Sequence, residues 1–294
     1  MITRSRVAAV FAACLMLGPH ASPARADMLL GITLDNRLIG INPATAQARV
    51  IGNLSSNMQA FDIAITGNKV YAWDQVANRV RQIDPTNAAT LATINIQRAM
   101  AGEGAIEFDS RGIGYMISGN SGNPFVRFDI TVPNSGVINR VFDFRPPMDG
   151  LAFDRAGTLY GMTNPSDIGN RLFTINPTTG QATLVANIAT GAGIIGKDYL
   201  TGGLAFRADG DLYAVTANAT VSELYRVNKT TGAATFVGNI VDAANNRNIP
   251  RVSGIRFLVP EPGTATLLGQ TVALLGGAAW LRRSRRPGFT RSLS

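Results

Sequence analysis

Three acidic residues are the candidates for catalytic chemistry in this sequence. Glu103, Asp149 and Asp198 each lie shortly before an apolar stretch that recurs along the chain. Hydrolysis of a glycosidic bond uses two carboxyl groups about 5–10 Å apart, so two of these residues brought together could act as an acid and a base. The neighbouring basic residues Arg145 and Lys197 suggest a simpler interpretation, in which the carboxylates form solvated ion pairs.

Residues 1–26 have the three regions of a secretory signal peptide. Two arginines lie among the first six residues, an apolar run covers 7–17, and Ala24 and Ala26 flank one residue in a small-x-small cleavage pattern. The apolar run is shorter than the about 20 residues that span a bilayer. We therefore expect cleavage after Ala26, with an uncleaved N-terminal anchor as the alternative.

Cleavage would remove two side chains with distinctive chemistry. Cys14 and His20 are the only cysteine and histidine of the chain, and both lie in this segment. Without them no thiolate or imidazole can act as a nucleophile, a general base or a zinc ligand. For the mature chain we expect no cofactor, no metal and no mechanism based on a histidine-containing triad.

The net charge of +8 is concentrated at the two ends of the chain. Of the 27 Lys and Arg residues, three precede position 27 and five follow position 281, whereas residues 27–281 hold the other 19 and all 19 Asp and Glu. A nucleic-acid-binding surface needs clustered basic charge. The neutral central part has no such cluster in sequence, so nucleic acid is not expected as a partner.

The segment 150–188 is a unit of four short β-strands that recurs along the chain. Its apolar runs are separated by turn sequences at 154–157 and 176–180, rich in Asp, Asn and Gly. Each copy has an anchor at the end of its first strand, and most have a tyrosine in the second. The anchors are Ile65, Phe108, Phe153, Phe206 and Phe257, and the tyrosines are Tyr71, Tyr115, Tyr160 and Tyr213. The anchors are 43, 45, 53 and 51 residues apart, which with four strands per unit is typical of β-propeller blades.

The two ends of the repeat array complement each other. Residues 29–54 contain three strands and no first strand, whereas 252–259 form a lone first strand. Pairing them would complete a blade, close the ring and remove both open edges. The sequence thus predicts an all-β fold, a five-bladed β-propeller over 27–259, with an open array of strands as the alternative. The other blades are predicted at roughly 60–96, 104–144, 150–188 and 203–240.

The links between blades differ most among the copies. They cover 97–103, 145–149, 189–202 and 241–251, and the last two are long and rich in Gly and Asn. Long loops on a rigid scaffold commonly carry binding residues, so we expect a binding face where the links surround one mouth of the channel. Its candidate residues are Glu103, Arg145, Asp149, Lys197, Asp198 and Arg247.

Asp209, Gly210 and Asp211 resemble part of a calcium-binding loop. A calcium ion takes six to eight oxygen ligands, more than this stretch supplies. The stretch also occupies the position that Asp154 to Gly157 occupy in the preceding copy. A turn is therefore predicted here.

The C-terminal segment breaks the β pattern. Pro260 and Pro262 cannot donate ladder hydrogen bonds, so the domain is expected to end before them. Residues 264–281 contain no charged side chain, and as a helix they would extend about 27 Å, close to the thickness of a hydrocarbon core. The arginine cluster at 282–286 would place 287–294 in the cytoplasm and the propeller outside.

Pro260-Glu261-Pro262, the short apolar segment and the arginine cluster occur in the order of a known sorting signal. Residues 260–286 resemble the C-terminal signal of the PEP-CTERM family of bacterial surface proteins. The resemblance implies processing by a signal peptidase and then by an exosortase, a membrane transpeptidase that recognises this motif. It also implies an inner-membrane intermediate and transfer to the envelope or outside of a Gram-negative, exopolysaccharide-producing bacterium. Residues 287–294 extend past the point where family members usually end, and a plain C-terminal anchor is the alternative.

The body resembles bacterial propeller repeats found in secreted proteins, through stretches such as Gly150-Leu-Ala-Phe153, Leu159-Tyr-Gly161 and Ile175-Asn-Pro-Thr-Thr-Gly180. Several of these families have no known function, so the resemblance implies a fold and no catalytic residues. We expect a non-enzymatic binding or matrix protein whose ligand is extracellular polysaccharide, as in a biofilm, or another protein. A secreted carbohydrate-active enzyme and a structural coat component without a specific ligand are the alternatives.

Overall fold

The computed structural model describes residues 28–56, 58–95, 104–118, 124–131, 139–143, 147–163, 169–197 and 199–258. Every regular element in these ranges is a β-strand. No helix in the described ranges is long and apolar enough to cross a membrane. The predicted signal peptide, the sorting motif and the predicted membrane-spanning segment lie outside the described residues.

The first part of the chain supplies three strands of one blade and then two complete blades. Blade one begins with β1 (Leu29–Thr33), β2 (Arg37–Ile41) and β3 (Gln47–Asn53). Blade two comprises β4 (Ala60–Thr66), β5 (Lys69–Asp74), β6 (Arg79–Ile83) and β7 (Thr90–Asn95). Blade three comprises β8 (Gly104–Phe108), β9 (Ile113–Ser118), β10 (Pro124–Asp129) and β11 (Asn139–Asp143).

The second part supplies two more blades and the closing strand. Blade four comprises β12 (Met148–Phe153), β13 (Leu159–Thr163), β14 (Arg171–Ile175) and β15 (Ala182–Asn187). A hairpin of β16 (Ala189–Thr190) and β17 (Gly193–Ile194) follows. Blade five comprises β18 (Thr201–Phe206), β19 (Leu212–Ala217), β20 (Ser222–Val227) and β21 (Ala234–Asn239). The last strands are β22 (Val241–Asp242) and β23 (Val252–Phe257).

The ring closes by pairing the two ends of the chain. Strand β23 pairs antiparallel with β1, with Leu29 opposite Phe257 and Gly31 opposite Ile255. The completed sheet has the order β22-β3-β2-β1-β23, and the other blades are four-stranded meanders. The predicted all-β, five-bladed propeller with its N- and C-terminal closure is confirmed.

The first strand of each blade lies innermost. Strands β4, β8, β12, β18 and β23 neighbour one another around the ring. Glycines let their backbones approach closely: a Cβ atom on Gly203 would lie 2.9 Å from the Cα of Gly254, and one on Gly150 would lie 2.8 Å from the backbone nitrogen of Leu204. The channel is therefore narrow, and a single long side chain can reach across it.

The repeated Phe and Tyr anchors form the core between blades. The tyrosine of one blade packs against the first-strand phenylalanine of the next, as in Tyr160–Phe206, whose ring centroids lie 5.2 Å apart, and Tyr213–Phe257, at 5.3 Å. Most of these rings are buried, so the ring of blades is held by apolar burial and edge-to-face aromatic packing.

The repeated turns at Asp and Asn are built by the side chain of their first residue. The Oδ1 atom of Asn176 accepts hydrogen bonds from the backbone N–H groups of Thr178 and Thr179, at 2.9 and 3.1 Å. At the stretch that resembled a calcium loop, Asp209 accepts from the N–H of Asp211 at 3.0 Å and forms an ion pair with Arg207. The predicted turn is confirmed there. These turns lie at the end of the propeller that joins first to second and third to fourth strands, here called the turn face.

The two long links, 189–202 and 241–251, lie partly along the outer strands of the propeller. Strand β22 pairs in parallel with β3, the outer strand of blade one, with Val241 opposite Gln47. In the same way Ala189 bridges to Ala233 beside the outer strand of blade five. Each link leaves an outermost strand, so it first crosses the edge of the next blade and then turns inward. Ile188 and Ile249 are buried beneath the links.

Candidate functional site

Of the six residues predicted for a binding face on the links, three are described. The sequence predicted that Asp149 lies on a link, and the structure places it elsewhere. It lies inside the innermost strand β12 and is 2% exposed. This placement is corrected because strand β12 begins two residues before the glycine at which the repeat was taken to start. Lys197 and Arg247 are exposed, whereas Glu103, Arg145 and Asp198 lie outside the described residues.

Arg247 lies near the outer edge of the propeller. It belongs to the loop that follows β22, where the backbone N–H of Asp242 donates to the carbonyl of Arg247 at 2.8 Å. Strand β22 pairs with the outer strand of blade one, whereas Asp149 lies on an inner strand of blade four. Arg247 and Asp149 therefore lie at different distances from the propeller axis. Convergence of the link carboxylates at the channel mouth stays a prediction for Glu103 and Asp198.

The link after blade four meets a carboxylate that two tyrosines share. The hydroxyl of Tyr225 donates to Oε2 of Glu223 at 2.8 Å, and Tyr199, on the link, also hydrogen-bonds to Glu223. Burial and the contact with Glu223 raise the pKa of Tyr199 to about 12, and the same causes raise the pKa of Tyr225 further. Both phenols stay protonated at neutral pH, and the bond from Tyr199 to Glu223 holds the link against blade five.

The channel itself is crossed by Arg256. This residue lies on β23, the closing strand, and is 6% exposed. Its guanidinium donates to the carbonyls of Ile63, Ile106 and Leu151, at 3.3, 3.4 and 2.9 Å. These three acceptors belong to blades two, three and four. One side chain of blade one thus binds three other blades across the axis.

Two buried carboxylates accompany Arg256. Nη1 of Arg256 lies 2.5 Å from Oε2 of Glu107. The backbone N–H of Phe108 donates to Oε1 of Glu107, and that of Phe153 donates to Oε2. Asp62 accepts from the N–H of Ile63 at 2.8 Å and from that of Ile106 at 2.9 Å. Each carboxylate therefore joins its own blade to the next one.

Burial dominates the electrostatics of this cluster. It raises the pKa of Asp62 well above its usual value, and the nearby charge of Arg256 and two backbone N–H donors offset only part of that increase. Burial also raises the pKa of Glu107, against the opposing charge of Arg256. Carboxylates with raised pKa occur in catalytic sites, but here they are enclosed by donors that the propeller itself supplies. The arrangement can fix blades relative to one another.

This cluster was not identified from the sequence. The signal that could have found it is the residue before the first-strand anchor, which is alanine in three copies, at Ala64, Ala152 and Ala205, but Glu107 and Arg256 in the other two. Opposite charges at equivalent positions of a closed ring suggest a pair across the axis. Among the described residues no group of three or more acidic, histidine or cysteine side chains is arranged to hold a metal ion.

The fold and the closed channel define the chain as a five-bladed β-propeller. No family model matches it, and no curated protein matches it. Among solved structures it is similar to a chain of the nidogen/laminin complex, with a TM-score of 0.51 at 14% identity over 79% of this chain and 98% of that one.

Two bacterial enzymes are also similar in structure. A glutaminyl cyclase from Myxococcus xanthus has a TM-score of 0.46 at 13% identity, over 75% of this chain and 76% of that one. A gluconolactonase from Xanthomonas campestris has a TM-score of 0.45 at 12% identity, over 78% of this chain and 79% of that one. Such low identities establish the fold alone.

Proposed function

We propose that this protein is an exported, non-enzymatic propeller that acts as a binding or matrix protein at the cell envelope. The observation that carries this proposal is the closed channel. Arg256, Glu107 and Asp62 fill the axis, and their polar atoms are engaged by backbone groups of blades two, three and four. The buried carboxylates described there are used to hold the blades together.

The contacts across the axis make the propeller a rigid scaffold for a binding surface. Strand β23 carries Arg256, strands β4, β8 and β12 meet its guanidinium, and β18 packs between β12 and β23. A rigid scaffold lowers the entropic cost of presenting a binding surface. The exposed links and turns are then available for a ligand at the cell surface, with extracellular polysaccharide or another protein as the proposed class.

The proposed route to the envelope rests on the sequence of the two ends. Signal peptidase would cleave after Ala26, and an exosortase would recognise Pro260-Glu261-Pro262 and remove the apolar segment that holds the inner-membrane intermediate. Replacing Glu261 with Ala should leave the tail attached, so that the protein stays in the membrane fraction about 3 kDa heavier. A matched change, Thr264→Ala, should be processed normally. Equal processing of both variants would contradict exosortase recognition.

Binding and catalysis can be separated in one experiment. Purified protein is incubated with exopolysaccharide, and co-sedimentation is measured together with the release of reducing ends. The proposal predicts co-sedimentation without new reducing ends. Release of reducing ends that is lost in Glu103→Gln or Asp198→Asn would instead support the carbohydrate-active enzyme, in which these carboxyl groups act as a pair.

A further inference from the structure

A cavity opens on the turn face between blades three and four. Its volume is about 400 Å³. Its walls combine an acidic turn, an aromatic pair and a proline, and the residues that matter here are Asp109, Arg111, Tyr115, Phe153 and Pro177. Aromatic faces next to a carboxylate are the surroundings that an organic cation prefers.

The equivalent gap between blades four and five is occupied by a lysine of the protein itself. Lys229, in the turn between β20 and β21, places its Nζ atom 2.7 Å from Oδ2 of Asp154 in blade four. The same ammonium lies 5.8 Å from the ring centre of Tyr160 and 5.6 Å from that of Phe206. The gap thus binds an alkylammonium group by one carboxylate and two rings.

The two gaps are built in the same way. The Oδ1 atom of Asp154 accepts from two backbone N–H groups of its turn, at 3.0 and 2.9 Å, and Oδ1 of Asp109 does the same at 2.9 and 3.0 Å. In both turns Oδ2 is therefore the atom that meets a cation, and in blade three it also accepts from the hydroxyl of Tyr115 at 3.4 Å.

The aromatic walls correspond as well. Tyr115 and Phe153 have ring centres 5.5 Å apart at an interplanar angle of 67°, and Tyr160 and Phe206 have centres 5.2 Å apart at 62°. The difference lies in the turn of the following blade, where Pro177 holds the position that Lys229 holds one blade later. The first gap therefore has the walls of an ammonium site and lacks the internal ammonium.

Two arginines line this cavity, Arg111, which binds Asp109, and the exposed Arg155. The Nη2 and Nε atoms of Arg111 donate to Oδ2 of Asp109 at 2.6 and 3.1 Å. The side chain of Arg111 is 70% exposed, so the pair gains little from its attraction in water. Among the described residues only Lys229 stands over aromatic rings as a cation. Arg111 also contacts the hydroxyl of the buried Tyr115, whereas Phe153 is half-buried. An ammonium group bound to Asp109 would therefore replace the exposed guanidinium.

We propose that this cavity binds a linear primary alkylammonium group, with the ammonium on Asp109 and the alkyl chain against Tyr115 and Phe153. The group could come from a lysine side chain of a partner protein or from a free alkylamine. The site lies on the turn face and does not depend on the sorting signal or on the links.

The probes are n-butylammonium, Nα-acetyl-lysine methylamide and 1-butanol, titrated into the full-length chain by calorimetry. We expect both amines to bind, with a Kd of about 1 mM for the five-atom butylammonium ion, and the neutral alcohol to bind at least tenfold more weakly. Tighter binding of the lysine derivative would identify a protein partner, whereas binding of butylammonium alone would identify a free amine.

The decisive variant is Pro177→Lys, which supplies the internal ammonium that blade five already has. It should abolish amine binding while the fold persists. Thr178→Lys is the matched control, because it adds the same charge one residue further along the turn at an exposed position. Asp109→Asn, which keeps an Oδ1 acceptor for the turn, should weaken binding at least tenfold.

Three results would overturn the proposal. They are the failure of both amines to bind at 10 mM, about ten times the expected Kd, binding of 1-butanol equal to that of butylammonium, and unchanged amine binding in Pro177→Lys. Circular dichroism and thermal melting of each variant distinguish loss of the site from loss of the fold. Failure of these tests would leave the polysaccharide co-sedimentation experiment unaffected.

Discussion

Removal of Arg256 should destabilise the whole propeller. Arg256→Leu keeps an apolar side chain of moderate size at the axis but removes the guanidinium that binds blades two, three and four. Glu107 then loses its ion-pair partner while staying buried. Three carbonyls also lose a charged donor.

The size of this destabilisation follows from the burial of Arg256 and Glu107. Breaking a buried ion pair by removing one side costs about 3–5 kcal/mol. The loss of three hydrogen bonds to a charged donor would add to this value. Proton uptake limits it, because burial raises the pKa of Glu107 and Asp62 and the loss of Arg256 removes an opposing charge. We expect a loss of about 4 kcal/mol, which for a domain of this size lowers the Tm by roughly 8–16 °C.

Urea unfolding followed by circular dichroism would measure this loss. The matched control is Arg226→Leu, because Arg226 is 59% exposed and pairs with Asp211 at 2.6 Å on the surface. It should cost far less than Arg256→Leu, because water screens an exposed ion pair. Combining Arg256→Leu with Glu107→Leu removes both charges, so the double variant should be more stable than Arg256→Leu alone. The reasoning fails if Arg256→Leu and Arg226→Leu destabilise equally.

Three further predictions concern the axis and the turn face. The raised pKa values of Asp62 and Glu107 favour their protonated forms in the folded state. Their contribution to the free energy of unfolding should therefore fall as the pH rises above the ordinary carboxyl pKa values of 3.8 and 4.5. Chemical unfolding from pH 4 to 8 would measure this decline. Gly254→Ala should cost about 2 kcal/mol by urea unfolding, since its Cβ would lie 2.7 Å from the Cα of Asp62, whereas Gly191→Ala meets nothing within 4 Å and should be nearly neutral. Lys229→Ala should lose about 1 kcal/mol, and 10 mM n-butylammonium, about ten times its expected Kd, should raise its Tm by refilling the gap.

Each of these has a control that isolates its cause. For the pH dependence, Asp62→Asn should flatten the decline, and an unchanged profile would show that other groups produce it. For Lys229→Ala, the control is Lys69→Ala at an exposed position, where the amine should have no effect on the Tm difference. An equal amine effect on both variants would place the binding elsewhere.

The fold could be predicted because the same pattern of residues recurs in each blade. Phenylalanine at the end of the first strand and tyrosine in the second recur, and they pack across every boundary between blades three, four, five and one. The missing first strand at one end and the extra strand at the other predicted the closure that pairs Leu29 with Phe257. Local patterns decide these features, so a single sequence reveals them.

The axial cluster could not be predicted from the repeated pattern. Glu107 and Arg256 are far apart in the chain and meet only because five inner strands close into a narrow ring. Asp149 was placed on a link because strand boundaries depend on pairing with the neighbouring strand, which the repeat does not specify. The path of the long links along outer strands also depends on tertiary pairing, as in Val241 with Gln47.

The most direct test of the proposed function measures binding and turnover together. The purified protein is mixed with exopolysaccharide, the bound fraction is determined by co-sedimentation, and the chain length of the polymer is followed by size-exclusion chromatography. A rigid, non-enzymatic propeller predicts saturable co-sedimentation with a polymer of unchanged length. Progressive shortening of the polymer, or a bound fraction no larger than that of the heat-unfolded protein, would contradict it.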